Sequence, residues 1–422
     1  MSNFPPIALP LLAGRNYRCH CGQPVFFRNS ICLACTTPLG YDCERGTLLP
    51  LERVDASGVQ GSGGVAQWRV WRGGGDCSVQ QPAPPQLTEI PGQQSAPLRS
   101  TLLPAAHGTA VSMPGCAALY KRCLNLSTPA SCNWLIHGDD PHALCRACRL
   151  NRTIPDLSNP ALPDNGYLWG RVELAKRRLL SLLILLGLPV ASRLTEDTQR
   201  GLMFDFLRSP QDGPHVVTGH HTGLITLNVE EADDAKREAH RKALREPYRT
   251  LLGHFRHEVG HYYWDRLVAG SHWMGGFREL FGNEQENYPT ALRRNYERGP
   301  SANWRQHFVS AYASAHPWED WAECWAHYLH MRDTVDTALS FGLSVERIDL
   351  EFTPFTLAAT YRPDHPGAEQ FLAFLNHWMR LTTMLNEMSH SMGQPDFYPF
   401  VLPHQVIAKL HFIHMVVGGV PR

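Results

Sequence analysis

The sequence predicts an α+β, mainly helical protein in which a small cysteine-rich domain precedes a larger helical domain. Paired cysteines with the spacing of metal ligands lie in the first part of the chain. From about residue 166 onward the pattern becomes helical, with one alternating, β-branched stretch at 224–229. An apolar fraction of 43% over 422 residues is enough for a sizeable core.

Charge and hydropathy exclude several classes of protein. Lys+Arg and Asp+Glu both number 39, so the formal net charge is zero and predicts no general attraction to nucleic acids or membrane surfaces. The most apolar run, Leu179–Leu188, is far shorter than the roughly 20 residues that span a bilayer, and it predicts a buried helix. The N-terminus lacks the basic region of a signal peptide. We therefore expect a cytoplasmic protein, in which cysteines serve as metal ligands more often than as disulfides.

The first cysteine set lies in residues 1–51 and has the spacing of two metal-binding knuckles. It resembles a zinc ribbon, in which four thiolates hold one structural Zn²⁺ and the metal supplies folding energy to a unit too small for its own core. The predicted ligands are Cys19, Cys21, Cys32 and Cys35.

Residues 52–113 are rich in glycine, proline and serine, and they predict a flexible insertion. Within it only Trp68–Trp71 has the pattern of a strand. Residues 114–163 then form a second cysteine-rich segment that ends in a proline-rich connector. Its looser pattern predicts a second structural zinc, with Cys116 as an alternative fourth ligand. The predicted ligands are Cys123, Cys132, Cys145 and Cys148.

Residues 164–422 form the predicted helical domain. We expect helices at 167–186 and 230–246, and a third at 248–268 with Pro247 in its first turn. Residues 218–223 predict a turn before the strand at 224–229. Histidines 220 and 221 of that turn could bind a metal, although turn histidines are more often solvated.

The third helix contains His257, Glu258 and His261 in the pattern His-Glu-x-x-His. Residues four apart share a helix face, so His257 and His261 can both bind one Zn²⁺. Glu258 lies beside the first ligand, where a carboxylate can take a proton from a zinc-activated water. This is the spacing of a metalloprotease site.

A tetrahedral zinc with two histidines and a water needs one more protein ligand. Glu319 and Glu323 lie four residues apart on one face of a later apolar helix, where a carboxylate needs a partner. We predict Glu319 as the third ligand and Glu323 as the acceptor of a hydrogen bond from a ligand histidine. Glu323 itself, Asp320 and His327 remain alternative third ligands, and His254 is a further competitor on the His257 face.

Motifs along nearly the whole chain, except the region 52–113, resemble a bacterial family of zinc-binding metallopeptidases with an N-terminal zinc-ribbon domain. These motifs span residues 19–41, 132–134, 246–264, 316–330 and 391–400. The resemblance implies a gluzincin-like, zincin-type metallopeptidase domain at 164–422. Glu319 lies further from His261 than in thermolysin-like enzymes, and Glu323 stands where those enzymes have Asp.

Peptide-bond hydrolysis also needs a donor to the oxyanion that develops on the scissile carbonyl. Some gluzincins use a tyrosine in this role, so Tyr312 is the candidate and His316 the alternative. The sequence thus predicts a zinc-dependent peptidase that acts on a peptide or protein, with one catalytic zinc and one or two structural zincs. The alternative is a non-catalytic zinc-binding scaffold. Arginines at 146, 149 and 152 alone favour a nucleic-acid role, and the zero net charge argues against it.

Overall fold

The computed structural model describes residues 9–54, 66–72 and 118–421, except positions 211 and 245. Over these residues the chain is α+β and mainly helical, with a cysteine-rich β domain before a helical domain, which confirms the predicted fold class. None of the helices described is long and apolar enough to cross a membrane.

The N-terminal domain combines a two-stranded hairpin with a five-stranded antiparallel sheet. The hairpin pairs β1 (Tyr17–Arg18) with β2 (Pro24–Val25). The sheet has the order β3-β4-β5-β6-β7 and joins residues of both cysteine-rich segments. Its strands are β3 (Leu39–Asp42), β4 (Thr47–Val54), β5 (Gln67–Val70), β6 (Tyr120–Arg122) and β7 (Leu135–His137).

The strand expected at Trp68–Trp71 is observed as β5, one residue earlier. Apart from 52–54 and 66–72, the predicted flexible insertion lies outside the described residues, and so does Cys116.

A second sheet has four strands in the order β10-β11-β9-β8, and these strands lie between residues 151 and 228. Its strands are β8 (Asn151–Thr153), β9 (Met203–Leu207), β10 (Gly219–His221) and β11 (Leu224–Asn228). β10 pairs antiparallel with β11 at one edge of this sheet. The turn expected at 218–223 was therefore wrong in extent, because the chain turns only at Thr222 and Gly223, where both residues have positive φ.

Nine α-helices lie within the described residues. They are α1 (Asn165–Leu185), α2 (Asp234–Ala243), α3 (Leu251–Tyr263), α4 (Met274–Phe281), α5 (Tyr288–Arg298), α6 (Trp304–His307), α7 (Pro317–Ser340), α8 (Ala368–Ser391) and α9 (His404–Gly418).

Capping side chains explain where two helices depart from the predicted bounds. The helix expected at 230–246 is a 3₁₀ turn followed by α2, because Asp233 has extended backbone and its carboxylate accepts from the amides of Ala235 and Lys236. The helix expected at 248–268 begins only after Thr250, whose hydroxyl accepts from the amide of Gly253 at 2.9 Å. Pro247 therefore precedes α3 and does not lie in its first turn. A π-helical turn at Trp264–Val268 follows α3.

Close packing of α3 on α7 sets the geometry of the candidate site. Trp321 of α7 donates from Nε1 to the carbonyl oxygen of Gly260 in α3 at 2.8 Å. One turn further along α7, Trp325 stacks on Tyr263 with ring centroids 5.0 Å apart. Both tryptophans are fully buried, so each buries a large apolar area that holds the two helices in one register.

A buried ionic cluster joins the two domains behind these helices. Asp333 of α7 accepts hydrogen bonds from Arg15 of the N-terminal domain, Arg178 of α1 and Arg256 of α3, at 2.7–3.1 Å. Nearby, the hydroxyl groups of Tyr41 and Ser181 lie 2.6 Å apart. The N-terminal domain is thus tied by polar contacts to the helices that carry the candidate site.

Candidate active site

His257, His261 and Glu319 place one ligand atom each within 4.8 Å of one another. Glu319 Oε2 lies 3.0 Å from His257 Nε2 and 3.7 Å from His261 Nε2. The two Nε2 atoms are 3.2 Å apart. The histidines come from adjacent turns of α3 and the glutamate from the first turn of α7, so the α3–α7 contact brings the three together.

This donor set fits a zinc ion. Glu319 is 1% exposed, and its Oε2 atom has no hydrogen-bond partner among the described residues. A buried carboxylate oxygen that accepts no hydrogen bond is costly, and a cation held between it and the two nearby imidazoles removes that cost. Burial by itself raises the pKa of Glu319, but contact with His257 and His261 holds it well below its usual value. The carboxylate is therefore ionised, as metal ligation requires.

Glu323 lies one turn further along α7, behind the first histidine. Its Oε1 atom is 2.8 Å from His257 Nδ1, on the far side of the ring from Glu319. Ser310 donates from its hydroxyl to the other oxygen of Glu323 at 2.7 Å. A carboxylate at Nδ1 fixes the imidazole tautomer that leaves Nε2 free to ligate.

Glu258 follows His257 on α3 and is 8% exposed. It makes no hydrogen bond or ion pair with any described residue, in contrast to Glu319 and Glu323. Burial raises the pKa of its carboxyl, with His257 and His261 opposing the shift. A free, buried carboxylate beside two imidazoles is suited to accept and return a proton.

Two tyrosines border the site. The ring centroid of Tyr312 lies 6.1 Å from that of His257, and burial beside Glu319 raises the pKa of Tyr312 well above that of a free phenol. Tyr288, at the start of α5, donates from its hydroxyl to Glu319 Oε1. The sequence did not point to Tyr288, because this contact depends on how α5 packs against the beginning of α7.

The remaining candidate ligands on α7 have other partners. Asp320 is fully buried against Lys409 of α9, with Nζ at 2.6 Å from Oδ2, and burial raises its pKa to about 6. His327 bonds through Nδ1 to the hydroxyl of Tyr398, and burial lowers its pKa to about 4. Neither belongs to the group of ligand atoms around His257.

Three other histidines also lie outside that group. His254 faces Glu231, with Nδ1 at 3.8 Å from Oε2. His316 caps α7, since its Nδ1 accepts from the amide of Trp318 at 3.1 Å. His220 is partly buried, with its ring parallel to that of His261 at 6.3 Å, and its Nε2 accepts from the amide of Gly223. Burial lowers the pKa of His220 to about 3, so this histidine is neutral.

Each of the two cysteine sets also gathers its four sulfur atoms within 4.8 Å. In the first set, Cys19 and Cys35 lie 3.5 Å apart, and Cys21 and Cys32 lie 3.8 Å apart. These spacings are close to those of thiolates around one tetrahedral zinc, with Zn–S bonds of about 2.3 Å.

The second set, with Cys123, Cys132, Cys145 and Cys148, is buried throughout. Burial raises the pKa of Cys145 well above that of a free thiol, so ionising this cluster requires a compensating cation. Arg177 of α1 lies beside it, 3% exposed, and its Nε and Nη1 atoms have no hydrogen-bond partner among the described residues. A metal ion held by the four thiolates beside α1 would fit both observations.

Fold and donor sets together define a protein with a zinc-binding cysteine-rich domain and a helical domain that carries a His-His-Glu site. Residues 165–416 match the family described as "putative zinc-binding metallo-peptidase", and residues 16–71 and 95–159 match a zinc-ribbon domain. The chain belongs to this metallopeptidase family, which confirms the resemblance inferred from its motifs.

Relatives match along almost the entire chain. Uncharacterized proteins of Mycobacterium tuberculosis and Mycobacterium bovis are 37% identical over 409 residues, covering 96% of this chain and 96% of each relative. No solved structure matches this chain.

Proposed function

We propose that this protein is a zinc-dependent peptidase in which His257, His261 and Glu319 hold the catalytic zinc and Glu258 is the general base. One observation carries the proposal: the buried Oε2 oxygen of Glu319, which accepts no hydrogen bond from a described residue, faces both imidazole Nε2 atoms. A purely structural site would need a fourth protein ligand, and the group contains three among the described residues.

Zinc in such a site polarises a carbonyl and lowers the pKa of water to about 7. Glu258 would take the proton from the attacking water and pass it to the leaving amine, a role that its lack of other partners supports. Glu323 would orient His257, and Tyr312 would donate to the oxyanion on the scissile carbonyl. The two cysteine sets would hold one structural zinc each.

The substrate class is a peptide or protein, and we place the protein in the cytoplasm. Ten unpaired cysteines among the described residues, eight of them in two compact clusters, suit a reducing compartment.

The test compares the wild-type chain with Glu258→Gln on a library of peptides from a digested proteome, with new termini identified by mass spectrometry. Both proteins should carry the same amount of zinc, because Glu258 is not a ligand. The variant should cleave at least about 100-fold more slowly, as removal of a general base typically costs 10²–10⁴ in rate. Equal cleavage by both proteins would refute the mechanism. If zinc-loaded wild-type protein cleaves none of the peptides, the result would favour the alternative function, a non-catalytic zinc-binding scaffold.

A further inference from the structure

A groove of about 490 Å³ lies at the junction of the two domains, away from the candidate active site. The N-terminal domain contributes Phe26 and Arg28, α1 contributes Leu174 and Arg178, and the end of α7 contributes Phe341. Its surface is mainly apolar, which is typical of sites that bind a ligand at a domain interface. We refer to it as the junction groove.

Two exposed aromatic side chains line the groove. Phe26 is 66% exposed and Phe341 is 61% exposed, although both belong to residue types that are usually buried. Exposed phenylalanines that line one apolar groove, one from each domain, present a contiguous surface suited to a large apolar side chain of a partner.

The charge of the groove has one sign. Four arginines and no acidic residue are found among the described residues that line it, although the chain as a whole has 39 basic and 39 acidic residues. Arg171 is paired with Asp234, but Arg15 and Arg178 share Asp333 with Arg256, so three guanidinium groups face one carboxylate.

Arg28 is exposed and makes no ion pair or hydrogen bond with a described residue. The groove thus keeps an excess of positive charge that an acidic occupant would offset, and guanidinium groups bind carboxylates with two parallel hydrogen bonds.

From these features we propose that the junction groove binds a segment of a partner protein in which a large apolar side chain is flanked by glutamate or aspartate. Nucleic acid fits less well, because binding along a strand needs several free cations, whereas Arg28 is the one arginine among the described lining residues without a carboxylate partner, which suits a single acidic side chain.

The groove also lies apart from the proposed chemistry. Leu251, which lines it, lies six residues, or about 1.7 helical turns, before His257 and points to a different side of α3, about 120° away around the helix axis at 100° per residue. Docking here would therefore leave the zinc site open.

The experiment measures fluorescence anisotropy of a short labelled peptide with tryptophan and leucine between glutamates, titrated with the zinc-loaded full chain. A peptide with lysines in place of the glutamates is the charge control. Arg28→Glu and Phe26→Ser should each weaken binding of the acidic peptide by about tenfold or more, as expected for residues at the centre of an interface.

Matched controls come from the same domain. Leu33→Ser removes a side chain that is 86% exposed outside the groove, and Arg53→Glu reverses an exposed charge on β4. Both should bind the acidic peptide like wild type.

Equal binding by the groove variants and wild type would overturn the proposal, as would equal affinity for the lysine peptide. Failure of the acidic peptide to bind the full chain, or preferential binding of a labelled single-stranded oligonucleotide, would overturn it too. Glu258→Gln should bind the acidic peptide like wild type, so this result is independent of the peptidase activity.

Discussion

The backbone of α3 at Gly260 lies directly against Ala322 of α7. A Cβ added at Gly260 would come 2.9 Å from Ala322 Cα and 3.3 Å from its carbonyl oxygen. The contact lies beside the candidate site, because His257 and His261 flank Gly260 on α3 while Glu319 and Glu323 flank Ala322 on α7.

Gly260→Ala should therefore separate the two helices and misplace Glu319 relative to the histidines. We expect a loss of about 1–3 kcal/mol in unfolding free energy from overpacking, together with weaker zinc binding. Denaturant unfolding and a competitive zinc titration measure the two effects. Gly275→Ala is the control: nothing lies within 4 Å of a Cβ there, so stability should be unchanged or slightly higher. Wild-type zinc affinity in Gly260→Ala would contradict this account of the helix contact.

Glu323→Ala should reduce zinc affinity about 10- to 100-fold, because His257 loses the acceptor that fixes its ring. Glu323→Gln should reduce zinc affinity less than Glu323→Ala does, since an amide oxygen can still accept a hydrogen bond from His257 Nδ1. Ser310→Ala should have the smallest effect, because it removes a hydrogen bond only to the far oxygen of Glu323. Zinc titrations of the three variants would reveal this order. A Glu323→Ala protein with unchanged affinity would show that His257 needs no such support.

Asp333 should make the free energy of unfolding of the protein depend on pH. Burial raises its pKa, but Arg178, Arg15 and Arg256 outweigh this and hold the pKa well below that of an ordinary aspartate. A depressed folded-state pKa means stability that is present above the unfolded pKa of about 3.9 and lost as pH falls below it.

Asp333→Asn should cost about 3–5 kcal/mol at neutral pH, since the buried guanidinium groups lose their counter-charge. The difference from wild type should shrink below about pH 4. Urea unfolding across this pH range measures it, with the exposed Asp139→Asn as a control that should follow wild type. A difference from wild type that did not change with pH would refute this linkage.

Loss of the second cysteine site should lower the thermal stability of the protein. Cys145→Ser should release one zinc and lower the Tm, because binding of a structural metal contributes directly to folding and this cluster packs against Arg177 of α1. Cys43→Ser changes a buried cysteine outside both clusters and should keep the full zinc content. Unchanged zinc content in Cys145→Ser would remove this cluster from the metal sites.

Local spacing made part of the structure predictable. The four-residue separations of His257 from His261 and of Glu319 from Glu323 place side chains on one face of any helix, so each pair could be inferred without knowing the fold. The spacing of the paired cysteines is informative for a different reason: binding to one metal ion constrains their separation along the chain. The α+β class followed from the change in hydrophobic period along the chain.

Contacts between segments distant in the chain could not be predicted from residue spacing. Tyr288 reaches Glu319 only because α5 packs at the beginning of α7, and no motif marks it. Ser310, in the segment that precedes α7, also reaches Glu323 through a contact that no motif marks. The start of α3 was placed too early because Pro247 suggested a first turn, whereas the hydroxyl of Thr250 provides the cap. The proline and the capping threonine are competing local signals, and here the threonine sets the start of the helix.

The assignment of the catalytic zinc ligands can be tested by the zinc content of the purified protein with and without Glu319. We expect three zinc ions in the wild-type chain and two in Glu319→Ala, with both cysteine sites still filled. Three zinc ions in Glu319→Ala, bound as tightly as in wild type, would contradict the assignment of His257, His261 and Glu319 as the catalytic metal site.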